Sequence, residues 1–299
     1  MILIHFTPSG MKRIADLQHT FHGSTAILVG GSPSLREQPL HLIQQRGVVT
    51  MAINNSALHF RPTMWVSGDR PECYEPRILM DGTIMKFAPV LYEGNKLETL
   101  DNRQYRTVPN IYFYIQEDGI PWDEYLAKRQ GVPWYSNTLF VGIHILYQLG
   151  FKRIILAGSD FGFGKDGAQY AHDAQLGDPE KKWNQDLYNS QVREMRMLKP
   201  VFERAGLTIM DCSKHSRLAQ TYKHISMEDA VALCLKDFPS KPVAPSALPH
   251  CSKFASEGIQ QRIANWPGHQ TVQSLVPETF DRVYDARDPS EGQELQSVI

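Results

Sequence analysis

Short apolar runs recur along the chain, and each ends in small or polar residues. Ala26–Val29, Val48–Ile53, Thr63–Ser67, Ile84–Ala88, Pro109–Ile115, Arg153–Ala157 and Leu207–Met210 read as strands. Runs this continuous fit strands covered on both faces, as in a parallel sheet. Ile2–Phe6 reads either as a short strand or as an irregular arm. Between the runs lie helical patterns. Leu35–Arg46 is one, and Lys12–His19 is a shorter one. A third is capped by Ser136, Asn137 or Thr138 and runs to Leu149, with apolar residues at 139, 140, 143, 146, 147 and 149 and Gly150 as its stop. Tyr188–Ala205, with a kink expected at Lys199–Pro200, is a fourth. Ser226–Asp229 has capping-box spacing and opens a last helix to about Lys236. Strand alternating with helix predicts an α/β, Rossmann-like fold: a mostly parallel sheet with helices on both faces.

The polar tips are where such a sheet binds ligands. After Val29 comes Gly30-Gly31-Ser32-Pro33-Ser34. Ser32 is placed to cap the next helix with Pro33 at its first position, and backbone N–H groups there would face a phosphate. The turn is neither a Walker A loop nor GxGxxG, and a glycine turn with no ligand also fits. Asn54 and Asn55 end the second run. Asn54 is placed to hydrogen-bond a base or ribose, or else to make a turn. Gly68, Asp69 and Arg70 end the third run. Asp69 could hold a metal, bond a substrate hydroxyl, or pair with Arg70. Gly158, Ser159 and Asp160 repeat the arrangement after Ala157. Tyr170 and His172 follow a glycine-bearing loop. His172 can act as acid or base near neutral pH, or be a solvent-exposed loop residue. His144 lies in an apolar run and reads as a packed histidine. Pro179–Trp183 is polar and is expected to be mobile.

Residues 91–135 form a lid or inserted region on this reading, with Trp122, Tyr125, Trp134 and Tyr135 placed to stack on a ligand or on one another. After Asp237 the texture changes. The stretch DFPSKPVAPSALPH carries four prolines, and an acidic tail follows. The expected division is a Rossmann-like domain over 1–237 and a Pro-rich linker with an irregular C-terminal extension over 238–299.

Composition narrows the classes. The chain has 299 residues, 31 basic and 32 acidic, and a net charge of −1. No global attraction for nucleic acid or anionic membrane follows. The four cysteines make no CxxC, which argues against zinc and disulfide frameworks and for a reducing, cytoplasmic compartment. The start lacks a secretory pattern, and no run is long enough to span a membrane. An oligomer is compatible with the sequence.

Five segments occur in one order: VGGSPSL at 29–35, AINNS at 52–56, SGD at 67–69, LGFKRIILAGSDF at 149–161 and YAHD at 170–173. Together they resemble the superfamily of the MptE-like (DUF115) proteins and the sialyltransferases of glycosyltransferase family 42, especially uncharacterised phage and prophage members. The likeness covers about residues 24–236. The sialyltransferase-like branch implies a cytidine nucleotide-sugar resting on Gly30–Leu35, with Asn54 or Asn55 and the pair Asn137 and Thr138 as further contacts. Two positions depart from that branch. Its loop asparagine falls on Gly31, and its catalytic histidine falls near Asn189, which cannot act as a base. His172 is the residue left to substitute. The MptE-like branch implies a pyrophosphokinase for a hydroxymethyl pterin, with ATP and Mg²⁺ held by Asp69 and Asp160 and assisted by Asp173.

The first expectation is therefore transfer from a nucleotide-sugar donor, of CMP or UDP type, with Mg²⁺ or Mn²⁺ as a possible helper. Gly30, Gly31, Ser32, Ser34, Asn54, Asn55, Asn137, Thr138, Gly158 and Asp160 would bind the donor. Asp69, Tyr170 and His172 would serve the acceptor, a glycan or a modified base. Pyrophosphate transfer and a non-catalytic nucleotide-binding or structural role are the alternatives.

Overall fold

Alternate residues of the buried strands face opposite ways, and the core is accordingly double. In β3 (Thr25–Val29), Ala26 and Leu28 enter one core while Ile27 and Val29 enter the other. The computed structural model describes residues 1–6, 10–135, 137–164, 167–171, 177–213 and 215–238. In chain order the strands before β3 are β1 (Leu3–Phe6) and β2 (Lys12–Ala15). After it come β4 (Val49–Ile53), β5 (Met64–Val66), helix α1 (Pro76–Met80) and β6 (Met85–Pro89). The small pair β7 (Lys96–Leu97) and β8 (Arg103–Gln104) precedes β9 (Ile111–Tyr114). A second small pair, β10 (Gln116–Glu117) and β11 (Val132–Pro133), leads to α2 (Thr138–Gln148). β12 (Arg153–Ala157), α3 (Asp178–Arg204), β13 (Thr208–Asp211), β14 (Lys223–His224) and α4 (Met227–Asp237) complete the fold.

Ten strands form one sheet in the order β14-β13-β12-β3-β4-β5-β6-β9-β1-β2. From β14 to β9 all neighbours are parallel, and β1 runs antiparallel to both β9 and β2. Helices α2 and α3 cover one face through Phe140, Ile143, Met195 and Phe202. Helices α1 and α4 cover the other through Ile78, Leu79, Met227 and Ala230. This is the Rossmann-like arrangement expected. The chain builds outward from β3 to β9, then returns through α2 to set β12 on the other side of β3. The strand order therefore reverses between β3 and β12, the place where open α/β sheets form their crevice.

The sheet ends in short, charged strands. β2 exposes Lys12 and Ile14, and both residues of β14 are exposed.

Four local expectations differ from the structure. Lys12–Ala15 is strand β2 rather than helix, because it pairs in register with β1 from Leu3↔Ala15 to Phe6↔Lys12. The helix expected over Leu35–Arg46 is two 3₁₀ segments, Pro33–Glu37 and Leu40–Gln44. Pro39 sits between them; it lacks an N–H and bars the helical conformation from the residue before it. Helix α3 starts at Asp178, ten positions before Tyr188, and takes in Pro179–Trp183. Pro179 lies in its first turn, where the N–H has no intrahelical partner to lose. Asp211, read as a turn residue, ends β13.

Within residues 91–135, β9 is an interior strand of the sheet, between β6 and β1, and the aromatics form a packing cluster. Trp122 stacks on Tyr135 at 3.8 Å between ring centres, and both meet Phe140 of α2. His144 is wholly buried, with Nδ1 2.9 Å from the Tyr125 carbonyl; burial pulls its pKa down to about 3.

Candidate functional site

The loops after β3 and β12 meet at the crevice. A Cβ on Gly30 would stand 2.6 Å from the Gly158 carbonyl oxygen, and one on Gly158 would stand 2.6 Å from the Gly30 oxygen. Gly158 also has φ +57°, a conformation that favours glycine. Both glycines are thus required by the approach of one strand tip to the other. Gly31 differs, since a Cβ there would meet open space.

The serines of the turn have partners of their own. Ser32 does not cap the segment that follows; its Oγ accepts the Asp160 N–H at 3.1 Å, and its own N–H donates to Gly158 O at 3.0 Å. The Asp160 carboxylate accepts the Ser34 N–H at 2.9 Å and the Ser34 hydroxyl at 2.5 Å. A carboxylate of the chain itself therefore occupies the place where a phosphate was expected to meet Ser34. With both oxygens on Ser34, Asp160 is poorly placed to hold a cation jointly with Asp69. Among the described residues no group of three His, Cys, Asp or Glu side chains could hold a metal ion. Among the described residues, Asp69 and Asp160 therefore do not form a ready-made shared site for Mg²⁺ or Mn²⁺.

A second group gathers at the tips of β4 and β5. Asn54 has φ +51° and its carbonyl accepts the Trp65 indole N–H at 2.9 Å. The buried Tyr74 hydroxyl lies 3.1 Å from Asn54 Oδ1 and 3.3 Å from Asp69 Oδ2, so one phenol bridges amide and carboxylate. Asp69 itself is exposed. Asn55 presents a side-chain oxygen that is buried with no hydrogen-bond partner. Ser56, by contrast, is structural: its hydroxyl donates to Val29 O at 2.8 Å and accepts the Ile53 N–H at 3.0 Å, tying β3 to β4.

Helix α2 brings its N-terminus to the β5 tip. Asn137 is its cap, with Oδ1 accepting the Leu139 N–H at 2.7 Å. Thr138 is buried, and a Cβ on Gly68 would stand 3.0 Å from its Oγ1 and 2.6 Å from the Trp134 ring.

Tyr170 joins the two groups. Its segment is fastened over the glycine turn by Ala171 N–H to Gly31 O at 2.8 Å and Arg36 Nε to Ala171 O at 2.6 Å. Its phenol accepts from Gln169 Nε2 at 3.1 Å, and Gln169 in turn accepts from Asn184 of α3 at 2.9 Å. Burial, then the charge of Asp69, raises the Tyr170 pKa. Burial pushes Tyr188 up to about 12, with Tyr170 and Asp160 adding to the rise. Tyr170 thus feels the charge of Asp69, and its segment is tied to the glycine turn through Gly31 and Arg36. Tyr74 is likewise held protonated, by burial first and by Asp69 next.

His172 and Asp173 lie outside the described residues. Asn189 is on the exposed side of α3, where its Oδ1 accepts from Gln185 at 3.3 Å. Tyr74, Gln169 and Arg36 were missed from the sequence. Tyr74 alone left a signal, an aromatic hydroxyl five positions after Asp69.

No protein-family model matches the chain, and no curated protein matches it. Solved structures do. One is the sialyltransferase CstII from Campylobacter jejuni in complex with cytidine-5'-monophosphate, at 14% identity and a TM-score of 0.39 over 68% of this chain and 85% of that one. Another is the monofunctional alpha-2,3-sialyltransferase Cst-I from Campylobacter jejuni, at 14% identity and a TM-score of 0.37 over 67% of this chain and 80% of that one. The Maf glycosyltransferase from Magnetospirillum magneticum AMB-1 is similar at 15% identity and a TM-score of 0.42, over 75% of this chain and 38% of that one.

Proposed function

We propose that the chain is a glycosyltransferase that takes a nucleotide-sugar donor at the carboxyl edge of its sheet. The observation that carries this reading is the bridge from Asn54 through the Tyr74 hydroxyl to the exposed Asp69. Among the described residues, Asp69 is the group we assign as the base. It takes the proton of the acceptor hydroxyl as that oxygen bonds to the anomeric carbon and the bond from that carbon to the donor phosphate oxygen breaks. The electron pair leaves on the phosphate. Such a base must come within about 3 Å of the acceptor oxygen. Tyr170 stays protonated near neutral pH, so its phenol can donate to the departing oxyanion. Asn54 and Asn55 offer amides to base or ribose, and Asn137 and Thr138 border the same edge. Gly31 provides the open surface of the turn. The ordered sequence segments that resemble the sialyltransferase-like branch support the same reading. His172 stays the alternative base that the sequence offers.

The test is a thermal-shift panel of CMP, CDP, UDP, GDP, ATP and their sugars, with and without Mg²⁺ or Mn²⁺. One nucleotide series is expected to stabilise the protein saturably. Stabilisation by ATP with Mg²⁺ alone would sink the proposal in favour of pyrophosphate transfer. For the nucleotide that binds, Asp69→Asn is expected to slow its release from the sugar donor roughly 10²- to 10⁴-fold. Unchanged release would instead leave a binding protein without catalysis.

A further inference from the structure

Helix α3 carries Asp186, Asn189, Arg193 and Arg196 at intervals of three and four residues, so they share one face. With Val192 and with Arg217 from the loop after β13, they line a cavity of about 480 Å³. This cavity adjoins the crevice. The Arg217 N–H donates to Asp160 O at 3.1 Å and its Nη1 donates to Phe161 O at 3.1 Å. Three guanidinium groups thus border one cavity with a single carboxylate, Asp186. That carboxylate stands seven residues from Arg193, about 10 Å along the helix at the usual rise. Arg193 and Arg196 are exposed, and among the described residues neither is in an ion pair.

Three like charges beside one carboxylate leave a net positive wall, and an oxyanion relieves the repulsion within it. The guanidinium fork matches the oxygens of carboxylate and phosphate two at a time. Asn189 adds an amide to the polar wall, and Val192 adds an apolar patch for the body of a ligand.

We propose that this cavity binds an oxyanion, carboxylate or phosphate, carried by a small organic ligand. On the transfer reading above, on which this part rests, that ligand is the acceptor. Its acidic group is held against α3 while its hydroxyl reaches the crevice beyond Asp160. The enzyme would then act on acidic rather than neutral acceptors.

The experiment is calorimetric titration of the full chain with citrate and, separately, with inorganic pyrophosphate. Saturable binding of at least one is expected, and the probe preferred tells carboxylate from phosphate. Arg193→Gln/Arg196→Gln is expected to weaken it about tenfold or more, as loss of charge-assisted hydrogen bonds implies. Arg204→Gln/Lys236→Gln removes the same charge from exposed positions elsewhere on α3 and α4 and is expected to leave it unchanged. Absence of saturable binding, or equal weakening in both double variants, would overturn the proposal. Titration with the nucleotide panel separates the two readings. If no nucleotide binds but the arginine-dependent oxyanion binding persists, the cavity stands and the transfer reading falls.

Discussion

Asp211 closes β13 with 1% of its surface exposed. One oxygen accepts the Ser213 N–H at 2.8 Å, and Oδ2 is buried without a hydrogen bond. Burial above all, with a small contribution from Asp160, pushes its pKa up to about 6. The folded protein therefore holds this proton more tightly than the unfolded chain. Its favourable contribution is complete below the ordinary aspartate range and is lost as pH rises through about 6. Asp211→Asn should raise stability more at pH 8 than at pH 4.5, by about 2 kcal/mol. Urea unfolding at the two pH values measures this, and equal gains at both would refute burial as the cause. His144 acts with the opposite sign. Its ring is neutral when folded, and the stability it gives is lost as pH falls from the ordinary histidine range toward about 3. Tyr74 makes a prediction of another kind. Tyr74→Phe removes the bridge between Asn54 and Asp69 while keeping the ring packed edge-on against Trp65. Turnover is expected to fall about tenfold with little change in melting temperature, as loss of one hydrogen bond to a charged group implies.

The strand tips and their glycines act together rather than singly. Gly158→Ala meets the Gly30 carbonyl at 2.6 Å and a left-handed backbone at once. A loss of roughly 1–3 kcal/mol is expected from strain of this kind, read by urea unfolding. The strands were legible because parallel strands covered on both faces become continuous apolar runs. Ala26–Val29 and Arg153–Ala157 are such runs. The start of α3 was not legible, because Asp178–Asp186 is mostly polar and shows no apolar period until the helix reaches the sheet. β2 was hidden for a different reason: its partner, not its own pattern, makes it a strand. At the site, Asn54, Asp69 and Asp160 could be read as strand tips, but their contacts could not. Asp160 finds Ser34 across 126 positions, and the backbone beside Tyr170 finds Gly31 and Arg36 across a similar distance. Such contacts exist only once the sheet order is fixed.

Helix α4 ends the described body with a clasp. Asp237 pairs with Arg153 of β12 and accepts the Thr25 hydroxyl of β3 at 2.5 Å. We propose that the domain boundary lies just beyond it. On that proposal, a chain ending at Phe238 is expected to melt within about 3 °C of the full chain. A larger loss in differential scanning calorimetry would move the boundary into the C-terminal region. With a net charge of −1, copies of this protein repel one another weakly. Among the described residues the ten-stranded sheet ends at β2 and β14, and Lys12 with Arg13 at one margin and Lys223 at the other carry the cations that deter a neighbour's strand from adding on. Colloidal behaviour should thus depend on these few side chains. Lys12→Val, which leaves Ile14 and a new apolar neighbour along one margin, is expected to turn a clear concentrated solution into fibrous aggregate.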